Sequence, residues 1–161
     1  MKKLVTVMMT AMMCLLTACG GTQNAENTDV KEVNLGEFYT ELETEYEWNG
    51  YLVDIEGEML EGYYPGLSEI PAEQFVAKMP MMSSVVNELV FMECETEEGA
   101  TQAATILQER IDTQAEGGAW YPESMEAWSR GEVIQNGTYV GMIASASYQD
   151  ELVERFQQEI Q

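Results

Sequence analysis

The sequence predicts an α+β domain, an antiparallel sheet of about four strands with helices packed on one face. Three observations predict it. Residues 88–95 alternate two sets of side chains with the period of a strand. Asn136-Gly137, a dipeptide favoured in two-residue hairpin turns, separates two strand-like runs. Three further segments repeat apolar residues at three- and four-residue spacing, the mark of amphipathic helices packing onto a sheet.

The elements follow in order. Leu35, Phe38, Tyr39, Leu42 and Tyr46 fall on one helical face, and Trp48-Asn49-Gly50 ends that helix. Residues 51–74 read as irregular, with a short helical turn near Glu58–Glu61 and a turn-rich break at Gly62-Tyr63-Tyr64-Pro65-Gly66. Gln74–Pro80 and Glu88–Glu95 read as strands. In the second, Val90, Met92 and Cys94 share one face, while Leu89, Phe91 and Glu93 share the other. Apolar residues on both sides mark it as central.

A long helix is expected from Glu97 to about Glu116, with Thr96 as N-cap and Glu97 and Glu98 in the first turn, where the helix dipole favours anions. Ala100, Ala103, Ala104, Leu107, Ile111 and Ala115 form its stripe, and Gly117-Gly118 stops it. A short helix over Pro122–Trp128 follows, with proline near its start and Gly131 after it. Glu132–Gln135 and Thr138–Ser145 form the hairpin, with Asn136-Gly137 read as a type I′ turn. Leu152, Val153, Phe156 and Ile160 give residues 148–160 one apolar helical face.

The start of the chain has a different character. Lys2 and Lys3 precede an apolar run of about 13 residues, shorter than the roughly 20 that span a bilayer as a helix. Leu16-Thr17-Ala18-Cys19 then resembles the lipobox of bacterial lipoproteins, in which the cysteine is lipidated and becomes the first residue of the mature protein. The expected organisation is a signal peptide over 1–18, lipidated Cys19 with a flexible tether over 19–34, and a single domain over 35–161. A diacylglyceryl group on Cys19 would supply two acyl chains, enough for stable anchoring to the outer face of a membrane.

Charge and composition narrow the function. Without residues 1–18 the chain has five basic and twenty-nine acidic side chains, a net charge of −24. Phosphate binding needs clustered lysine and arginine, so nucleic acid is not an expected partner. Direct docking to anionic headgroups is disfavoured for the same reason. The acids are 25 Glu and four Asp, in clusters such as Glu41-Glu43-Glu45-Glu47 and Glu93-Glu95-Glu97-Glu98, which read as solvated faces. They lack the spaced Asp and Asn oxygens of a calcium loop. Histidine is absent, which excludes His-based acyl-transfer triads and removes the commonest zinc ligand. Cys14 leaves with the leader and Cys19 is blocked by lipid, so Cys94 is left as a buried small hydrophobe. No metal and no cofactor is expected.

Several segments share an order with a known family: Leu89-Val90-Phe91-Met92-Glu93-Cys94-Glu95, Leu107-Gln108-Glu109-Arg110-Ile111, Tyr121-Pro122-Glu123, and Val133 to Ile143 with Asn136-Gly137-Thr138-Tyr139-Val140. Together they resemble the domain-of-unknown-function 4358 family, over roughly residues 50–147. The resemblance implies a small lipoprotein of a kind found mostly in Firmicutes, and so a Gram-positive cell envelope. This chain places Gly141 and Met142 where bulkier strand residues are expected after Tyr139-Val140. The family has no established activity, so the resemblance assigns no catalytic residue.

Trp48, Tyr51, Tyr63, Tyr64, Trp120, Tyr121 and Trp128 could form a sugar- or peptide-binding platform if exposed together, but are expected to fill core edges. Glu93 is the acid most suited to a raised pKa, and its plainer role is a strand-end carboxylate that reaches solvent or pairs with an arginine such as Arg110 or Arg130. Met79, Met81 and Met82 read as packing or turn residues, not a soft-metal site. The function expected is a non-catalytic binding or interaction module of the cell envelope. The alternative is a small carboxylate-dependent hydrolase of wall glycan or peptide, which would need two Glu flanking one bond.

Overall fold

A computed structural model describes residues 33–48 and 50–161. The leader, Cys19 and the tether lie outside the described residues, apart from the tether's last two positions, Val33 and Asn34. The predicted α+β class holds, around one antiparallel sheet of five strands, one more than expected: β1 (Leu52–Asp54), β2 (Ala72–Pro80), β3 (Asn87–Cys94), β4 (Glu132–Asn136) and β5 (Tyr139–Ser145), ordered β1-β2-β3-β5-β4. The helices are α1 (Leu35–Glu45), α2 (Gly57–Tyr63), α3 (Glu97–Thr113), α4 (Pro122–Ser129) and α5 (Gln149–Glu159), with a 3-10 turn at Leu67–Glu69 and a π turn at Gln114–Gly118. The segment 51–74, expected to be irregular, therefore holds β1, α2 and the 3-10 turn.

The helices cover both faces of the sheet, which corrects the expectation of one. β3 is central and apolar on both sides, and each side needs a cover. Val90, Met92 and Cys94 pack with Leu60 of α2, Ala103 and Leu107 of α3 and Trp128 of α4. Leu89 and Phe91 pack with Leu35, Phe38 and Leu42 of α1 and Leu152 and Phe156 of α5. Each fully buried Leu or Phe contributes about 1.5–3 kcal/mol relative to an exposed one, so both layers weigh in stability.

The ends of α1 and α3 are set by local chemistry. Asn34 Oδ1 accepts from Glu37 N at 3.0 Å, and Thr96 Oγ1 accepts from Gly99 N at 3.0 Å, satisfying amides that have no partner within the helix. The predicted hairpin turn is displaced by one residue. Asn136 pairs with Tyr139, so the two loop residues are Gly137 and Thr138. Gly137 has φ 58° while Thr138 stays at negative φ, the pattern of a type II′ turn, whose first central position favours glycine.

Gly141 has a packing explanation. It faces Phe91 across the β3–β5 ladder, and a Cβ built on it would lie 2.4 Å from Phe156 Cε1. The ring of Phe156 occupies the space over the bare backbone, stacked on Phe91 at 4.8 Å with Phe38 5.9 Å away. Ladder pairing is unbroken from Asn87↔Ser145 to Glu93↔Tyr139.

Candidate functional site

The sheet has one irregular edge. β1 pairs with β2 only over Lys78–Pro80, and Ile55 N donates to Ala77 O at 2.9 Å just beyond it. Upstream, the register of β2 on β3 shifts between Ala72 and Gln74, so Glu73 is the extra residue of a bulge. Bulges re-aim side chains and recur beside functional sites. Here the bulge brings Glu73 and Gln74 alongside Glu93.

On one face of this edge, Glu73, Gln74 and Glu93 line an open groove of about 530 Å³ with Val33 and Asn34. Gln74 organises it. Its Nε2 donates to Glu93 Oε2 and to Val33 O, both at 2.6 Å, and its Oε1 accepts from Leu35 N at 2.9 Å. One side-chain amide thus holds the backbone on both sides of Asn34 and seats the first turn of α1 on the sheet.

On the opposite face, Leu60, Leu67, Ile70, Ala72, Phe75 and Met92 line a shallow apolar groove of about 370 Å³. Phe75 is 39% exposed at its wall. Glu61 accepts from the hydroxyl of Ser68, a lining residue, and Glu95 N donates to Pro71 O at 3.0 Å.

A second constellation lies inside. Glu88, at the start of β3, is buried and receives two parallel hydrogen bonds from Arg110 of α3, Nε to Oε1 at 2.9 Å and Nη2 to Oε2 at 3.0 Å. Tyr64 donates its hydroxyl to Glu88 Oε1. The guanidinium lies over the rings of Tyr63 at 4.5 Å and Trp128 at 5.1 Å. Burial works against the charged form of Arg110, but the hydrogen bonds and charge of Glu88 outweigh it and hold its pKa above the usual arginine value. Burial, then the charge of Glu88, pushes the Tyr64 phenol well up. With every member satisfied, this cluster pins α2, α3 and β3 together.

Glu93 is partnered by Gln74; Arg110 belongs to Glu88, and Arg130 Nη2 reaches Ala146 O at 3.5 Å. Glu88 was missed because an acid at a strand end reads as solvent-facing. The one sequence signal for it was an arginine beside the apolar stripe of α3. Cys94 is buried, and burial pushes its thiol pKa up. Trp48, Tyr64 and Trp128 are buried, whereas Tyr51, Tyr63, Trp120 and Tyr121 are exposed, Trp120 at 92%. Met79 packs against the core, while Met81 and Met82 are exposed in the β2–β3 loop. Among the described residues no group of three acidic or thiol side chains is placed to hold a metal ion. No helix among them is long and apolar enough to cross a membrane.

A bulged sheet edge with an acidic groove on one face and an apolar groove on the other, carried on a five-stranded sheet between two helical layers, defines a small α+β domain with open surface clefts. Residues 45–145 match the family model described as Domain of unknown function (DUF4358), and the chain belongs to that family. No curated protein and no solved structure matches the chain significantly.

Proposed function

We propose that this protein is a lipid-anchored extracytoplasmic lipoprotein whose folded part is a non-catalytic binding module of the cell envelope. The anchor rests on Leu16-Thr17-Ala18-Cys19 after a short apolar leader, with Cys19 as the lipidated residue. The binding role rests on one observation above all: Phe75 stands exposed on the wall of an open apolar groove at an incompletely covered strand edge. Exposed apolar surface rimmed by polar groups is how interaction sites are built. The outer face of a membrane, in a Gram-positive envelope, is the proposed location. The anchor is tested by Cys19→Ala, expected to abolish incorporation of labelled palmitate and to shift the protein out of the membrane fraction; unchanged labelling and fractionation would refute it. The module is tested by chemical cross-linking in native membranes, expected to yield one stoichiometric protein partner.

A second reading has an observation of its own, since Glu73 and Glu93 line one groove. Two carboxylates across a bond are what a wall hydrolase needs. Turnover of wall fragments that Glu73→Gln abolishes would favour it over the binding module.

A further inference from the structure

Resting on the binding-module reading, we propose that the outer edge of β2 over Ala72–Val76 receives an extended basic peptide as an added strand, its apolar side chains entering the Phe75 groove and its basic ones facing Glu73 and Glu93.

Three observations converge on this occupant. The first is the edge. Among the described residues β2 has only β1 and β3 as neighbours, and β1 reaches no further than Lys78. Five residues, about 17 Å of strand, lack an outer partner. Such an edge is a template for strand addition, where main-chain hydrogen bonds supply affinity and side-chain pockets supply specificity.

The second is the register. Gln74 pairs with Glu93 and Phe75 with Met92, so the acidic and apolar grooves lie on opposite faces of the sheet, one residue apart along β2. Successive side chains of an added strand also point to opposite faces. A peptide alternating basic and apolar residues would therefore satisfy both grooves at once. A block arrangement of the same residues would not.

The third is charge, which selects among occupants. The described residues carry four basic side chains against twenty-six acidic ones. Three of the four, Lys78, Arg110 and Arg155, are in ion pairs. A second copy of the chain would bring acid against acid. The chain's own residues 20–32 contain Glu26, Asp29 and Glu32 against Lys31, so they too are net acidic. A basic segment is the complement of this edge.

The test titrates the full-length lipidated protein in detergent with a fluorescent heptapeptide alternating lysine and valine, a block peptide of the same composition, and an alternating glutamate–valine peptide. The alternating basic peptide is expected to bind at least tenfold more tightly than the block peptide, and the acidic one not at all. Glu73→Lys is expected to weaken binding about tenfold, and Glu151→Lys on α5, with the same change in net charge, by less than twofold. Phe75→Ala is expected to weaken it with an unchanged dependence on salt. Circular dichroism of each variant confirms the fold. Equal binding of alternating and block peptides, or equal loss in the two lysine variants, would reduce the effect to general attraction by an acidic surface and overturn the proposal. A photo-cross-linker at Phe75 or Trp120 separates the two levels. A stoichiometric partner captured only from Trp120 overturns the β2 edge and leaves the binding module standing. No partner from either position, with turnover of wall fragments, overturns both.

Discussion

Gly141→Ala should destabilise this protein through one ring. The added methyl carbon would lie 2.4, 2.8 and 2.9 Å from Cε1, Cζ and Cδ1 of Phe156. Ordinary carbon contacts are about 3.5–4.0 Å, so ring and strand must part by about 1 Å. Phe156 has little room to retreat, being fully buried and stacked on Phe91 at 4.8 Å. Overpacking of this kind costs about 1–3 kcal/mol. The smaller unfolded-state entropy of alanine returns about 0.4–1 kcal/mol. A net loss of about 1–2 kcal/mol is expected from these two terms. Phe156→Ala alone should cost about 3–5 kcal/mol. In that background the clashing atoms are gone and Gly141→Ala should be neutral or slightly stabilising, a coupling of about 1–3 kcal/mol in a double-mutant cycle. Urea unfolding followed by tryptophan emission measures it, because Trp48 and Trp128 are 8% and 4% exposed and will report the transition. The same penalty in both backgrounds, or none in the wild type, would refute the ring as the cause.

Three further outcomes follow from the same structure. Glu88→Ala leaves Arg110 buried without its counter-charge and should cost about 3–5 kcal/mol in urea unfolding, whereas replacing both partners by apolar residues of similar volume should cost much less. Gln74→Ala removes three hydrogen bonds that seat Val33, Leu35 and Glu93, each worth about 0.5–1.5 kcal/mol, and should raise amide exchange over the first turn of α1 while leaving β5 protected. Burial first, and then neighbouring Glu43 at Tyr39 and Glu88 at Tyr64, raise these two phenols above their unfolded pKa of about 10. Above that pH the unfolded chain loses protons the folded chain keeps, so stability should fall as pH rises beyond about 10. Tyr39→Phe should flatten the fall, as read from urea midpoints at pH 9 and 11.

Much of this fold is legible in short stretches of sequence, and what is not has physical causes. Thr96 as a cap, the two faces of residues 89–94 and the apolar stripe of α3 are local patterns, and each holds in the structure. β1 is three residues long, too short for a period of two to register. The second helical layer was implied by the apolar run Leu89–Met92, whose two faces both need cover, yet the side on which α1 and α5 pack is decided by chain crossings. The turn slipped by one residue because Asn136 is held in the ladder opposite Tyr139, and its side chain is engaged with Ile160 O at 2.5 Å. The grooves flanking β2 were the least legible part. They depend on a bulge at Glu73 and on a neighbouring strand that stops early, and neither leaves a mark in hydrophobic periodicity.

Gln74 also sets how the domain would bear a mechanical load. A pull arriving from residue 32 meets Val33 first, and Val33 is moored to the sheet by a side-chain amide. Force would pass through that bond, the bond from Leu35 to the same amide and the packing of Val33, and then into α1, which is not a member of the β ladder. The weakest link is then a helix peeling from its seat on β2, and not the ladder between the five strands.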